Sequence, residues 1–582
     1  MERRVLVSIF LSFLVIYVWQ AIFFKPVKKP APSTATGTTI GATTESPTAP
    51  LTVTSSPSPS PERRPEPSPP IPTAVVGEAR ERNIRVETED VIAVFTNRGA
   101  RLKSWRLKSY GDARKEPLEL VAQSLQAEQP LPFSLRVSDA SVTTSLNSAL
   151  YTVSGEPSSG AVVQTARTEL RFEYQDSSGV RAVKEFHLEP SSFVLTFRAN
   201  VNVGDKPVTP TIQWGPTFGD TEEASRFAVS PEGLLSSQGR EQRLPAASIV
   251  KQPVYQGEFK FIGVEDHYFL TTAVDVGSVK VTFEPLTIPG PDGSTGTPRT
   301  LIAYSFEPAQ ADQPTKFYVG PKDFDQLAKV DRDLVRAINF GMFTVIVVPL
   351  LRSLKWINGY IGNYGFSILA LTAIINLIIL PLRHKSVVSM RKMQEIQPEA
   401  KAIQDRYAKL KTTDPAKQKM NQELMALYKE RGVNPASGCV PMLLPFPILI
   451  AFYSLLTTAI ELRGAPFMLW IHDLSRPDPY YVTPILMGVS QLWQQWIAPA
   501  AGVDPIQRRM MMIMPVVFTF LFISYPSGVA LYWLASNLWG IGQQYGTNYM
   551  IGPPNIRHVR PPAERQLKRV GAGKTDAAAR EN

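Results

Sequence analysis

The strongest constraint on this chain is a succession of five apolar segments in its last third: Gly365–Leu382, Val440 to about Leu462, Val482–Ala498, Met510–Tyr525 and Gly528–Gln544. About 20 apolar residues make a helix long enough to cross the hydrocarbon of a bilayer. Lipid offers no partner for backbone amides, so only helices and closed barrels can span it. Five such segments therefore predict a helical membrane core. Several are short and flanked by proline, and Pro526-Ser527-Gly528 makes a tight turn between the last two.

The same length argument applies to the N-terminus. After Met1-Glu2-Arg3-Arg4 the chain is apolar from Val5 to Phe24, and the run closes on Trp19, Phe23, Phe24 and Lys25. It is too long for the apolar region of a cleaved signal peptide, and its aromatic end suits the membrane interface. Residues 1–25 are expected to form an uncleaved anchor. The stretch Phe340–Leu351 is too short to span, and Pro349 and Arg352 interrupt or end it. Residues 321–361 are expected to lie on the membrane surface as amphipathic helices.

The intervening chain reads as soluble protein. Residues 26–77 are rich in Pro, Ser and Thr, including Ser56-Pro57-Ser58-Pro59-Ser60-Pro61, a composition that cannot bury a core. They are expected to form a disordered tether. From 78 to 320 the apolar pattern has period two: Phe193, Leu195, Phe197, Ala199, Val201 and Val203, then Leu170, Phe172 and Tyr174, and Val279, Val281 and Phe283. Strands with one buried face alternate in this way, and the expectation is one large antiparallel β-sandwich. Cys439 is the single cysteine, so no internal disulfide and no zinc site on paired cysteines is possible. Cys439 lies beside an apolar run and is read as a packing residue.

Residues 362–556 hold the five-span core, and within it residues 383–434 are polar. Met393, Ile396, Ala400, Ile403, Tyr407 and Leu410 step by three and four, which is a heptad seam. Asp414-Pro415 breaks that helix, and Met420, Leu424 and Leu427 supply a second seam. An antiparallel helical hairpin projecting into water is expected. The net charge of +10 is explained by topology. Arg383, Lys385, Arg391, Lys392, Lys409, Lys411, Lys417 and Lys419 lie in the hairpin, and Arg508 and Arg509 in a later loop. Arg557, Arg560, Arg565, Lys568 and Arg569 lie in the tail, residues 557–582. All fall on one side if the spans alternate, so that side is cytoplasmic and the sandwich lies outside. No nucleic-acid substrate is implied.

Several motifs then resemble those of the YidC family of insertases. They are Asn363-Tyr364-Gly365-Phe366-Ser367 at the start of a span, Gln422-Glu423-Leu424-Met425-Ala426-Leu427-Tyr428, Val433-Asn434-Pro435 and Gly438-Cys439. Further on come Pro466-Phe467, Leu469-Trp470-Ile471-His472-Asp473-Leu474, Asp478-Pro479-Tyr480-Tyr481, Tyr525-Pro526-Ser527-Gly528 and Ser536-Asn537-Leu538. Phe317-Tyr318-Val319-Gly320-Pro321 resembles the family's exit from its periplasmic domain. The resemblance covers anchor, sandwich, hairpin and core in order. It implies a multidomain membrane protein of the bacterial inner membrane: an N-terminal anchor, a periplasmic antiparallel β-sandwich and a five-span α-helical insertase core. It further implies a monomer without enzymatic chemistry or cofactor. Such a protein inserts nascent membrane proteins, alone or beside the Sec translocon. The basic residues of the tail are expected to contact the ribosome or anionic lipid, the alternative being a plain solvated tail.

The family's core holds a polar groove. The candidate groove residues here are Thr372, Asn376, Arg383, Gln491, Gln494, Gln495, Tyr532, Ser536 and Asn537. One such glutamine alone reads as a helix–helix hydrogen bond, worth about 0.6 kcal/mol on average. The group reads as a groove, because polar residues in spans face protein or water. Where the family usually presents an arginine in its first core span, this chain has Asn376. Arg383 follows seven residues later near the same helix face, as a groove charge or as a plain interfacial anchor.

Rival readings are an intramembrane protease, a solute transporter, or a sugar-binding role for the sandwich. Ser437, Ser527 and His472 supply no Ser–His pair within a span. The transporter lacks an inverted repeat. His187 and His267, the sandwich's two histidines, are expected to pack against strands, and a fold does not itself give a function.

Overall fold

The computed structural model describes residues 74–112, 115–122, 129–156, 162–163, 168–216, 230–288, 299–407, 416–432, 446–497 and 505–552. The expected anchor, nearly all of the tether, the Asp414-Pro415 break, Cys439 and the basic tail lie outside them.

Alternating burial builds the expected sandwich. In strand Val180–Leu188, residues Val180, Ala182, Lys184, Phe186 and Leu188 point inward and their neighbours outward. Phe186 lies opposite Phe197 on one side and Leu170 on the other. This strand belongs to a 14-stranded sheet, which faces a five-stranded sheet built on Asn83–Thr88, Val91–Thr96 and Arg101–Gly111. Among the described pairings one alone is parallel, Asn83–Thr88 with Val162–Val163. Aromatic rings fill the space between the sheets. Phe95 of the smaller sheet packs on Phe186 with centroids 4.8 Å apart, and Phe133 touches Phe186, Phe197, Trp214 and Phe317. Two short helices, α1 (Ala140–Ser148) and α2 (Ala246–Lys251), belong to the sandwich.

Beyond Pro321 the chain becomes helical. Asp323 caps α3 (Phe324–Val330), and two short turns lead to α4 (Thr344–Ile361). Contrary to the expectation from sequence, α4 runs through Pro349 and Arg352 and ends only at Gly362, a left-handed cap with φ 71°. Val347, Leu350, Leu351, Leu354 and Ile357 are buried along one face of α4. Burial of five apolar side chains, each worth about 1.5 kcal/mol or more, outweighs the hydrogen bond that a proline removes. The opposite face exposes Val345, Trp356 and Tyr360.

Asn363 caps α5 (Tyr364–Arg406), which continues unbroken through Pro381 and Pro398, so the first apolar segment and the first hairpin arm are one helix. Among the described residues α5 is the one helix long and apolar enough to cross a membrane by length and composition. Helix α6 (Ala416–Glu430) returns antiparallel along its end. Arg406 meets Glu423 and Arg431 meets Glu399, each at 2.9 Å, and Ile396, Ala400 and Leu424 are buried. Among the described residues four more helices follow: α7 (Phe446–Thr458), α8 (Val482–Ile497), α9 (Pro505–Phe522) and α10 (Ser527–Ile551). Helix α10 packs on α8, α5 and α7.

The motif residues of the α7–α8 loop act as local staples. Buried Asp478 accepts from Thr483 N at 2.7 Å, Thr483 Oγ1 at 2.9 Å, Tyr480 N at 3.0 Å and Trp470 Nε1 at 2.9 Å. Burial opposes its charge, but these donors outweigh burial and hold its carboxyl below the usual carboxylate range. Ser527 N donates to Arg476 O at 2.7 Å and Gly528 N to Leu474 O at 3.0 Å, which fixes the turn before α10. At Gly365 a Cβ would lie 2.0 Å from the Phe467 ring, so only glycine admits the loop there.

Polar contacts join the sandwich to the helices. Glu265 accepts from Arg243 at 2.7 Å and Lys322 at 3.1 Å. Lys355 of α4 meets Asp325 at 2.5 Å, Glu461 at 3.1 Å and Asp323 at 3.2 Å. His187 does lie in a strand, 3.2 Å from Glu169. His267 does not: it sits in a turn, and its Nε2 lies 2.7 Å from the carbonyl oxygen of Thr457 at the end of α7. That expectation of strand packing failed because nothing local in the sequence reveals a partner 190 residues away.

Candidate functional site

Helices α5, α7, α8 and α10 enclose a cavity of about 380 Å³. Helix α5 presents Thr372, Asn376, Ile379 and Arg383 to it, spaced four, three and four residues apart. That spacing puts them on one helix face. Helix α8 adds Gln491 and Gln494, helix α10 adds Tyr532, Ser536 and Asn537, and α7 adds Ile448 and Leu449. Eight of the nine candidate residues thus border one cavity. Gln495 does not; its Oε1 is buried and lacks a hydrogen-bond partner among the described residues. On α8 the step of about 100° from Gln494 carries Gln495 off the cavity side. Sequence reasoning missed Gln543 and Gln544, which also line the cavity. They stand seven positions after Ser536 and Asn537, and that continuation was the available signal.

Most of these polar groups are already engaged. Thr372 Oγ1 donates to Ile368 O at 2.6 Å and Asn376 Nδ2 to Thr372 O at 2.8 Å, so both turn back on their own helix. Between α8 and α10, Trp533 Nε1 donates to Gln491 Oε1 at 2.7 Å, and Asn537 Nδ2 reaches Ser490 Oγ at 3.0 Å and Met487 O at 3.1 Å. A Cβ at Gly540 would lie 2.1 Å from Gln494 Nε2, so this glycine makes room for the glutamine. Phe452 of α7 stacks on Tyr532 at 4.2 Å with planes 8° apart.

Arg383 differs from the rest. It is half-buried, and among the described residues no carboxylate lies within ion-pair distance of it. Among the described residues the cavity lining holds this one cation and no acidic side chain. The arrangement therefore favours an anionic or amide-rich guest. Toward the hairpin, Gln544 Nε2 donates to Asn548 Oδ1 at 3.0 Å, and buried Arg391 of α5 donates to the same Asn548 oxygen and to Gly552 O. The hydroxyl of Ser527, which the protease reading required, donates to the carbonyl oxygens of Asp473 and Leu474. It holds the turn.

Comparison with known proteins gives consistent likenesses. The family model described as 60Kd inner membrane protein matches residues 356–553, and that of the YidC periplasmic domain matches residues 83–353. The membrane protein insertase YidC of Geobacter metallireducens is 34% identical over 562 residues, covering 95% of this chain and 99% of that protein. That of Syntrophus aciditrophicus is 31% identical over 562 residues, covering 94% and 99%. A solved structure of an active YidC insertase is 19% identical, with a TM-score of 0.33, covering 82% of this chain and 95% of that one.

Proposed function

Because the chain belongs to the YidC family of membrane protein insertases, we propose that the cavity between α5, α7, α8 and α10 is the groove through which it works. The protein inserts other proteins into the inner membrane and assists their folding there. The transporter and protease readings find no support in these likenesses.

In this reading α5, α7, α8, α9 and α10 all span the bilayer, preceded by the anchor of residues 1–25. Ile513, Val517 and Phe520 of α9 are exposed, an arrangement costly in water and suited to lipid. A client's polar segment rests briefly in the cavity while its apolar segment partitions into the membrane. An unsatisfied backbone group costs several kcal/mol in hydrocarbon, so a polar hollow part-way across shortens the dry path. Binding and release suffice, without covalent chemistry or cofactor. The protein acts as a monomer, alone or beside the Sec translocon. Its basic tail meets the ribosome or anionic lipid, the latter at about 1 kcal/mol per basic residue.

One observation carries the reading: Arg383, the one cation among the described lining residues, has no carboxylate partner among them and shares the cavity with Asn376. It takes the place of the deeper arginine usual in the family. The test compares insertion of a client whose translocated segment is acidic with one whose segment is neutral. Arg383→Gln should slow the acidic client about tenfold, the effect of one charge-assisted hydrogen bond of ~1.5 kcal/mol, and spare the neutral one. Asn376→Arg added to that variant should restore the rate. Equal effects on both clients, or none on either, would show Arg383 to be an interfacial anchor only.

A further inference from the structure

The loop between α7 and α8 turns large apolar side chains outward. Leu469 is 69% exposed and Tyr480 67%, with Met468 and Tyr481 exposed beside them. Leu469 and Tyr481 also hold left-handed backbone, with φ of 54° and 59°. That conformation costs energy in a residue with a side chain and little in glycine. The loop enforces it: Ile471 N donates to Met468 O at 3.1 Å, Phe467 N to Ile471 O at 3.0 Å and Tyr481 N to Asp478 O at 3.1 Å. Leucine and tyrosine are thus held outward where glycine would fit more easily, and strain of this kind points to a use for the side chain.

Their setting favours lipid over a protein surface. Tyr481, Ile485 and Val489 are all exposed at steps of four, so the outer face of α8 runs without a break into the loop. Helix α8 has 16 residues, about 24 Å, against roughly 30 Å of hydrocarbon, which leaves part of that thickness to the loop. Residues 464–471 and 479–483 include no acid, lysine or arginine. The acids between them are settled within the loop, Asp473 by Arg476 at 3.4 Å and Asp478 by its four donors. Tyrosine, with an apolar ring and a polar tip, suits the level of the headgroups.

We propose that this loop is a rigid wedge seated among the lipid headgroups of the non-cytoplasmic leaflet, with Met468, Leu469, Tyr480 and Tyr481 as its lipid contacts. The proposal rests on the reading of α8 as a span. Ser527 N donates to Arg476 O at 2.7 Å and Gly528 N to Leu474 O at 3.0 Å, so the wedge also grips the start of α10. Its hold on lipid thereby sets the depth of α8 and α10, which carry Gln491 and Asn537 to the cavity.

The test uses the full chain on a Cys439→Ala background, in vesicles of phosphatidylethanolamine and phosphatidylglycerol. Leu469→Cys in the loop, Val489→Cys on α8 and Val203→Cys on the sandwich, all exposed positions, each carry a fluorophore. Quenching is read with iodide in the water, and with lipids bearing a nitroxide near the headgroup or deep in the acyl chain. Leu469→Cys should be quenched several-fold more by the shallow nitroxide than by iodide, Val489→Cys by the deep nitroxide and Val203→Cys by iodide alone. Iodide quenching of Leu469→Cys equal to that of Val203→Cys, with Val489→Cys still quenched by lipid, overturns the wedge alone. Loss of lipid quenching at Val489→Cys as well overturns the span reading with it. Shielding of Leu469→Cys in native membranes but not in lipid vesicles assigns the loop to a protein partner and also overturns the wedge. Leu469→Gly combined with Tyr481→Gly should leave the unfolding temperature in detergent about unchanged, because relief of strain offsets the greater chain entropy of glycine. The same variant should insert clients several-fold more slowly in vesicles. A lowered unfolding temperature would show that these side chains pack on protein, and an unchanged insertion rate that they do not set depth; either result overturns the proposal.

Discussion

Lys184 is fully buried among the aromatic rings of the sandwich, and its Nζ donates to Gly99 O at 2.6 Å, Phe133 O at 2.8 Å and Ala100 O at 3.3 Å. All three acceptors belong to residues with positive φ, a conformation that costs alanine and phenylalanine energy. Burial, with Arg101 nearby, pushes the lysine pKa well down, while three acceptors match the three N–H groups that only the ammonium form has. The side chain thus ties the strained Gly99–Ala100 turn of the smaller sheet to a strand of the larger one, and the strained backbone at Phe133 to the same strand. Lys184→Met should leave three buried carbonyls unpaired and lower the sandwich's stability by about 3 kcal/mol or more. Tryptophan fluorescence during urea unfolding reads this directly, since Trp105 and Trp214 lie in the same core. An unchanged midpoint would show that the lysine is merely tolerated. The inward direction of Lys184 was legible from its place between Ala182 and Phe186. Its acceptors were not, because they arise where distant turns meet.

Elements show a similar division. Period-two runs gave the strands, and the three-four seam gave the hairpin faces that bury Ile396, Ala400 and Leu424. One proline misled: Pro349 lies inside a helix, as Pro381 and Pro398 do, since tertiary packing outweighs a local preference whose size the sequence does not state. For the candidate site, the four-three-four spacing on α5 was readable, whereas the distinction between Gln494 and Gln495 needed the phase of α8. The cavity's tie to the hairpin was also hidden. Buried Arg391 accepts the role of capping α10, donating to Gly552 O, where cations suit the dipole of a helix C-terminus. Arg391→Ala should cost about 2 kcal/mol locally and loosen the hairpin base. Arg431→Ala, which removes a partly exposed pair with Glu399, should cost ~0.5 kcal/mol. Hydrogen exchange at residues 545–552 should rise in the first variant and not in the second. Equal exchange in both would mean that the cap contributes nothing beyond a surface ion pair.

At the scale of the whole molecule, the question is how far the sandwich supports the groove. Every described residue lining the polar cavity lies beyond position 371. The junction divides into two sets of contacts. Lys355 with Asp323, Asp325 and Glu461 lies entirely on the helical side. Arg243 and Glu265 with Lys322, His267 with Thr457, and Arg463 over the Phe269 ring at 5.3 Å all depend on the sandwich. Removing residues 85–310 therefore abolishes the second set and leaves the first. Lys322 and Arg463 would then be solvated rather than left buried and unpaired, so the cost is the loss of packing and a few hydrogen bonds, each worth about 1 kcal/mol. A protein lacking residues 85–310 should reach the membrane, show a lowered unfolding temperature in detergent and retain part of its insertase activity toward small clients. Insertion into proteoliposomes, normalised to the amount of folded protein, measures this. Complete loss of insertion by a variant that remains folded and abundant would mean that the sandwich, through His267 and α7, holds the groove in its working shape.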